Sequence, residues 1–319
     1  MALIKQGFVL GAGLGTRLRP LTDELPKPLV PIFQKPLISF AFDHLIEFGC
    51  EKLIVNTHHQ PEKFGQAFPD CLYRDQPIEF HHEAVLLETA GGIANVTNSL
   101  GKEWFLVYNG DILTDLPLAP LIDEHFRAGN LVTLALRSGG GPLHVAFDAA
   151  SGRIVDIRNL LGSGQPDEFV FTGIYAVSPA FLSWLQAGVK QSVIPVFLEL
   201  LRRGEKLGGV VIDKGRWWDV GTRAAYLQLH RDLLQLRFPC YDVDDPNWRA
   251  PIHKTAVMEA AAQLRGCSVA GAESRVGAEA VLEDTILWPG AQIASRSHLQ
   301  NCIVRSHRTA RGTIANKDI

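Results

Sequence analysis

Gly11, Gly13 and Gly15 follow the apolar run Phe8-Val9-Leu10, and Thr16-Arg17 leads on to Arg19-Pro20 and then to Lys27, set between Pro26 and Pro28. Glycines at this spacing let backbone N–H groups approach an anion, and Arg17 and Lys27 add full positive charge for the same phosphates. The chemistry this stretch fits is the cradling of a triphosphate by Leu10, Gly11, Ala12, Gly13, Gly15, Thr16, Arg17 and Lys27. Two other glycine-loop classes are excluded by the residues themselves. No lysine follows the glycines as a Walker A loop requires, and Thr16 stands where a dinucleotide fingerprint needs a third glycine. Glycines alone would equally fit a plain strand-to-helix turn. Arg17 and the Pro-Lys-Pro segment argue against that.

Two carboxylates stand in informative places. Asn109-Gly110-Asp111 follows the apolar run 104–108, so Asp111 closes a buried strand where it can bind a hard divalent cation shared with phosphates. On its own the tripeptide is also a common turn. Asp219 lies in Trp217-Trp218-Asp219-Val220-Gly221-Thr222, where Asp and Thr are equally good caps for a helix over 224–234. His58-His59 and His81-His82 are poor chelators, because adjacent residues on a strand point to opposite faces.

The run from Gly11 through Leu29-Val30-Pro31-Ile32 resembles the signature of the sugar-1-phosphate nucleotidylyltransferases, the enzymes that make nucleotide-sugars. The resemblance implies magnesium-dependent transfer of a nucleotidyl group from GTP or UTP to a sugar 1-phosphate, giving a nucleotide-sugar and pyrophosphate. The nucleophile is already anionic near neutral pH, so no general base is needed; cations must offset the crowded phosphate charge. Four catalytic residues are implied: Arg17 on the leaving pyrophosphate, Lys27 on the phosphates near the reacting centre, and Asp111 and Asp219 as the magnesium ligands. Asp219 enters through a matching Trp-x-Asp-x-Gly-Thr segment.

The segment 82–92 is similar to the family's nucleotide-binding stretch, implying nucleotide contacts from Glu83, Glu88, Thr89, Ala90 and Gly91, together with Asn109. Glu83 aligns with the position that touches the base, and a carboxylate suits the two adjacent donors of guanine better than the single donor of uracil. Gly110 and the run Phe171-Thr172-Gly173-Ile174-Tyr175 match the sugar pocket, implying sugar contacts from Gly110, Thr172 and Gly173. Asp156-Ile157-Arg158-Asn159 departs from the Glu-Lys pair by which many members grip the sugar, so the sugar stays unidentified. Glu88-Thr89-Ala90-Gly91-Gly92 is similar to N-acetylmuramate-1-phosphate uridylyltransferases, whereas a C-terminal repeat resembles mannose-1-phosphate guanylyltransferases. Guanylyl transfer is the expectation; uridylyl transfer and a silent nucleotide-sugar-binding subunit are the alternatives.

The elements that must position these residues are legible as periodicity. Strand-like runs at 8–10, 52–56, 78–81, 104–108 and 131–136 alternate with amphipathic stretches such as 37–48, where Leu37, Phe40, Ala41, His44, Leu45 and Phe48 recur at helical spacing. This order predicts a doubly wound, mostly parallel α/β sheet of Rossmann-like form, with ligands at the carboxyl ends of its strands. Pro239, Asp242, Asp244, Asp245 and Pro246 read as a connector. Beyond it, Val281, Leu287, Ile293 and Leu299 recur every six residues, resembling the hexapeptide repeat of a left-handed parallel β-helix of two to three coils. The expected division is a catalytic domain over 1–238, a linker over 239–262 and the β-helix over 263–319. Open coil ends predict a homo-oligomer joined through the β-helix, with removal of the tail sparing the chemistry. The array is short for a hexapeptide acyltransferase, and His298 and His307 are expected at the surface.

Composition bounds the partners. The chain has 319 residues, 46% hydrophobic and 20% charged, and its net charge of −3 provides no basic footprint for nucleic acid. Cys50, Cys71, Cys240, Cys267 and Cys302 are odd in number and scattered, which fits neither a disulfide framework nor a zinc site and points to the cytoplasm. No apolar run reaches the roughly 18 residues of a membrane span, so no membrane partner is expected.

Overall fold

The computed structural model describes residues 4–236 and 247–319. The chain forms two compact units: Met1–Gly15, Pro26–Leu29 and Leu37–Val220 in the first, Thr16–Leu25, Val30–Pro36 and Gly221–Ile319 in the second. The chain therefore does not divide once near 238; part of the glycine-loop region belongs with the C-terminal residues. The proline- and aspartate-bearing connector expected from Pro239 to Pro246 lies outside the described residues.

The first unit is built on a ten-stranded sheet. Gln6–Leu10 lies between Lys52–Thr57 and Phe105–Asn109, parallel to both, and Gln76–His82 extends the parallel run. Both faces of these strands are covered, which is why Phe8, Val9, Ile54, Val55, Leu106 and Val107 read as continuous apolar sequence rather than an alternation. Val170–Val177 runs against Phe105–Asn109 and Val132–Arg137, and Leu207–Val211 is parallel to the latter. The helix Leu37–Phe48 forms where the periodicity places it, burying Leu37, Phe40, Ala41 and Leu45 completely. It ends at Gly49, whose φ of 108° no side chain would favour.

The second unit ends in a parallel β-helix. Short strands stack into three sheets of four, four and three strands, and Val269 pairs Ile286, which pairs Ile303. This is the stacked parallel architecture expected of a left-handed β-helix. Its first strand, Val257–Met258, starts ahead of the expected boundary at 263. Leu282, Leu287, Ile293 and Leu299 fill the core; on its face Leu282 points inward in place of the expected Val281, which is only half-buried. The helix Arg223–Gln235 belongs to this unit, with Tyr226 donating to the Pro31 carbonyl at 2.6 Å and accepting from Trp288 Nε1 at 3.0 Å.

Among the described residues, no helix is long and apolar enough to cross a membrane. Cys50, Cys71, Cys267 and Cys302 are free thiols.

Two histidines are wholly buried, His125 in the first unit and His230 in the second. Burial pushes both down to about 4. The unfolded chain takes up their protons near pH 6.5 while the folded chain still refuses them, so stability present above about 6.5 is lost as the pH falls towards 4. Each histidine corresponds to about 3 kcal/mol at the lower limit. The thermal midpoint should fall progressively from pH 6.5 to 4.5, and a flat profile would contradict it.

Candidate functional site

Three parallel strand ends build the site. Leu10 stands opposite Asn56 on one side and Asn109 on the other, so Gln6–Leu10, Lys52–Thr57 and Phe105–Asn109 finish together, where sheets of this kind hold ligands. The Asn56 side chain accepts the Gly11 N–H at 2.8 Å and donates to Glu83 Oε1 at 2.7 Å. A Cβ on Gly11 would lie 2.7 Å from the Asn56 carbonyl oxygen, so only glycine lets the loop leave the strand here. The Gly110 N–H donates to the Leu10 carbonyl at 3.0 Å, locking the second turn against the first.

A cavity of about 320 Å³ opens over these ends. Of the expected nucleotide residues, Leu10, Ala12, Gly13, Glu88, Thr89 and Asn109 line it, together with Asp111, expected as a metal ligand. Asn56, Leu86 and Ser192 also line it and were not foreseen. Asn56 carried a readable signal, a polar residue closing an apolar strand. Ser192 reads only as a helix cap, which it is, accepting the Ile194 N–H at 3.4 Å.

Asp111 and Asp219 are brought together by strand pairing. Trp217–Asp219 runs antiparallel to Ile112–Thr114 with Asp219 opposite Ile112, and the Val220 N–H donates to the Asp111 carbonyl at 3.3 Å. Thr222, by accepting the Ala225 N–H at 3.2 Å, takes the helix cap that Asp219 was equally suited to fill. Lys27 Nζ sits between the carboxylates, 2.6 Å from Asp111 Oδ2 and 3.5 Å from Asp219 Oδ1. The lysine is covered, at 7% exposure, whereas Asp111 and Asp219 are 35% and 41% exposed. Both carboxylates are hard oxygen donors that are partly open to solvent. Such a pair fits a divalent cation that completes its shell with water and phosphate oxygens. Among the described residues no group of three or more His, Cys, Asp or Glu could hold a metal ion.

Several residues expected to contact ligands also make hydrogen bonds or close contacts within the fold. Glu83 is 2% exposed and both its oxygens are engaged, Oε1 by Asn56 and Oε2 by the Leu87 N–H at 2.9 Å, so it is covered and committed to the frame rather than presented to a base. Its role is to hold Asn56, and through it the glycine loop. The Ala90 and Gly91 N–H groups donate to the Gln191 carbonyl at 2.9 and 3.1 Å. Thr172 is 1% exposed; its hydroxyl donates to the Ala135 carbonyl at 2.9 Å. It lies in a bulge where the register of Val170–Val177 shifts between Phe171 and Tyr175. Gly173, with φ of 85°, approaches Asn109 so closely that a Cβ would lie 2.5 Å from the amide nitrogen. Thr16 and Arg17 start a short helical turn of the second unit, where a Cβ on Gly221 would meet the Arg17 guanidinium at 3.0 Å.

The family described as nucleotidyl transferase matches residues 6–236, the stretch that carries the glycine loop, Lys27, Asp111 and Asp219. The chain belongs to the nucleotidyl transferase family. This transferase is 30% identical over 291 residues to a mannose-1-phosphate guanylyltransferase of Mycobacterium tuberculosis, covering 89% of this chain and 80% of that protein. It is 32% identical over 225 residues to an N-acetylmuramate alpha-1-phosphate uridylyltransferase of Neisseria meningitidis, covering 68% of this chain and 93% of that protein. Among solved structures, a UDP-glucose pyrophosphorylase from Acinetobacter baumanii shares the fold with a TM-score of 0.63 at 16% identity, over 77% of this chain and 96% of that one.

The corrected place of Glu83 in the transferase has a measurable consequence. A glutamine at 83 keeps one carbonyl acceptor for two buried donors, Asn56 Nδ2 and the Leu87 N–H. Glu83→Gln should cost about 1–3 kcal/mol of stability. The ratio of catalytic efficiencies with GTP and UTP should not change. A changed ratio at an unchanged thermal midpoint would return Glu83 to the base pocket.

Proposed function

We propose that this transferase moves a nucleotidyl group from a nucleoside triphosphate to a sugar 1-phosphate, with magnesium held by Asp111 and Asp219. The observation that carries the reading is the Asp111–Lys27–Asp219 cluster beside a cavity whose wall includes Gly13, Thr89 and Asp111. An oxygen of the sugar phosphate forms a new bond to the α-phosphorus as the bond to the pyrophosphate oxygen breaks, and pyrophosphate leaves with the electron pair. The cation, when bound, offsets phosphate charge that would otherwise repel the anionic nucleophile. Lys27 donates hydrogen bonds to phosphate oxygens from its covered position, while Asn56 and Glu83 keep the glycine loop in shape for the triphosphate.

Guanylyl transfer to a hexose 1-phosphate such as mannose 1-phosphate is the favoured form. The Mycobacterium tuberculosis relative aligns with 89% of the chain, more than its nucleotidyl transferase stretch alone, whereas the Neisseria meningitidis relative spans 68%. Uridylyl transfer is the second reading, supported by the 32% identity of that relative and by the loss of the Glu83 argument for guanine. Pyrophosphate release measured over a matrix of four nucleoside triphosphates and several sugar 1-phosphates tests both. Release should require magnesium, triphosphate and sugar phosphate together, and be fastest with GTP and mannose 1-phosphate. Equal release without sugar phosphate would make the protein a hydrolase; a maximum with UTP would select the second reading.

A further inference from the structure

We infer that Glu88 is a specificity-determining residue, whose carboxylate accepts hydrogen bonds from the two vicinal hydroxyls of the nucleotide ribose. The inference rests on the proposed function, in which the cavity over the strand ends receives the nucleoside triphosphate, and adds to it a preference for ribonucleotides over their deoxy forms.

Glu88 opens the helix Glu88–Asn95 with a φ of 62°, a left-handed conformation that glycine adopts freely and glutamate does not. Such a residue persists only where its surroundings hold it, and here the residues on both sides are pinned. The Leu87 N–H donates to Glu83 Oε2 at 2.9 Å, and the Leu87 carbonyl accepts the Gln191 N–H at 2.9 Å. The Thr89 hydroxyl accepts the Val193 N–H at 2.7 Å, and the Gln191 carbonyl accepts the Ala90 and Gly91 N–H groups. A Cβ on Gly91 would lie 2.4 Å from the Val189 carbonyl oxygen, so the segment 189–193 packs directly against this turn.

None of this bonding uses the Glu88 side chain. The Gln191 carbonyl serves the first N–H groups of the helix, so the carboxylate is not needed as a cap. Its ion pair with Lys190 is long, at 3.6 Å, and the two side chains are 42% and 58% exposed, which makes the pair too weak to be the reason for a left-handed glutamate. What the turn achieves is to set Glu88 in the cavity wall beside Leu86 and Thr89. A carboxylate accepts hydrogen bonds and repels phosphate, so it serves an uncharged part of the nucleotide that offers donors. The ribose diol is such a part: two adjacent O–H groups match the two oxygens of one carboxylate, and an acidic side chain reads a ribose hydroxyl in this way in dinucleotide-binding folds. Asp111, the other carboxylate of the wall, is taken by Lys27 at 2.6 Å. The diol is common to GTP and UTP, so Glu88 has the same task under either reading of the base.

The test uses the full chain with Glu88→Gly and Glu88→Gln. Calorimetry with magnesium and without sugar phosphate reads the affinity for GTP and UTP and for the 2′-deoxy and 2′,3′-dideoxy form of each. The unaltered protein is expected to lose about tenfold in affinity for each hydroxyl removed, the size of a hydrogen bond to a charged group. In Glu88→Gly the three forms of each nucleotide should bind alike, and Glu88→Gln, which keeps one acceptor, should lie between. Glycine suits the left-handed backbone, so the thermal midpoint of Glu88→Gly should be no lower than that of the unaltered protein. The same ribose preference in the variants as in the unaltered protein overturns the inference, and so does an unaltered protein without any preference. A GTP-to-UTP ratio that changes while the ribose preference stands also overturns it and moves Glu88 to the base. Affinities that fall in parallel for all forms with a lowered midpoint overturn it in favour of a role in the frame. An unaltered protein that binds these nucleotides but releases no pyrophosphate with any sugar 1-phosphate instead overturns the proposed function, while the ribose ratios still decide the task of Glu88.

Discussion

Asp111→Asn should lower pyrophosphate release by a hundredfold or more while leaving the thermal midpoint close to that of the unaltered protein. Asp111 is the nearer of the two carboxylates to Lys27 and lines the cavity, yet it is 35% exposed, so its charge is available to a ligand rather than spent on the core. The amide keeps the shape and loses the charge. A neutral oxygen holds a divalent cation weakly, and it no longer orients the Lys27 ammonium at 2.6 Å. Loss of one preorganised electrostatic contact in a site of this kind corresponds to about 3 kcal/mol of transition-state stabilisation, a factor of about a hundred. Raising magnesium should recover only part of the rate, because Asp219 alone remains. Turnover near that of the unaltered protein, with ordinary magnesium dependence, would reduce Asp111 to a turn residue.

Lys27→Met is expected to have an effect of similar size but with a distinct signature. The methionine fills much of the covered space under the carboxylates, so the fold should persist, while the ammonium that stands 2.6 and 3.5 Å from Asp111 and Asp219 is gone. Two consequences run in opposite directions. The rate at saturating substrates should fall by about a hundredfold, since a positive charge on the phosphates is lost where the reaction crowds negative charge. The magnesium concentration for half-maximal activity should fall too, because no ammonium competes for the two carboxylates. Steady-state rates across a magnesium titration separate the two. A rate loss accompanied by weaker magnesium dependence would mean that Lys27 organises the carboxylates rather than competing for them. Lys27→Arg should not restore the rate, since a forked guanidinium does not fit a position that is 7% exposed and built for a point charge.

The amino-acid sequence by itself determined the features whose physics is local. The glycine loop was readable because its demand is a backbone one: at Gly11 a Cβ would strike the Asn56 carbonyl, and at Gly110 it would come within 2.7 Å of the Leu10 carbonyl. The helix Leu37–Phe48 and the parallel strands around Gln6–Leu10 followed from period and apolar run, and the β-helix from its repeat.

The tertiary structure decided whatever depends on which distant segments meet. The choice between Asp219 and Thr222 as helix cap was open in the motif, because both side chains can accept an N–H; the antiparallel pairing of Trp217–Asp219 with Ile112–Thr114 settled it by carrying Asp219 to Asp111 and Lys27. Glu83 looked like a ligand for a base because a carboxylate in a polar stretch is chemically fit for one. Only the placement of Asn56 Nδ2 and the Leu87 N–H against its two oxygens shows it committed to the frame. Asn56 escaped notice for the converse reason, since a single asparagine has no period and no motif until the strand beside it is known. The grouping of Thr16–Leu25 with residues from Gly221 onward was equally invisible, because Glu24 and its arginines at 305 and 308 are joined only by contact across the fold. Periodicity reports what a residue does to its own backbone; long-range register reports which charges end as neighbours, and in this transferase the second sets the site.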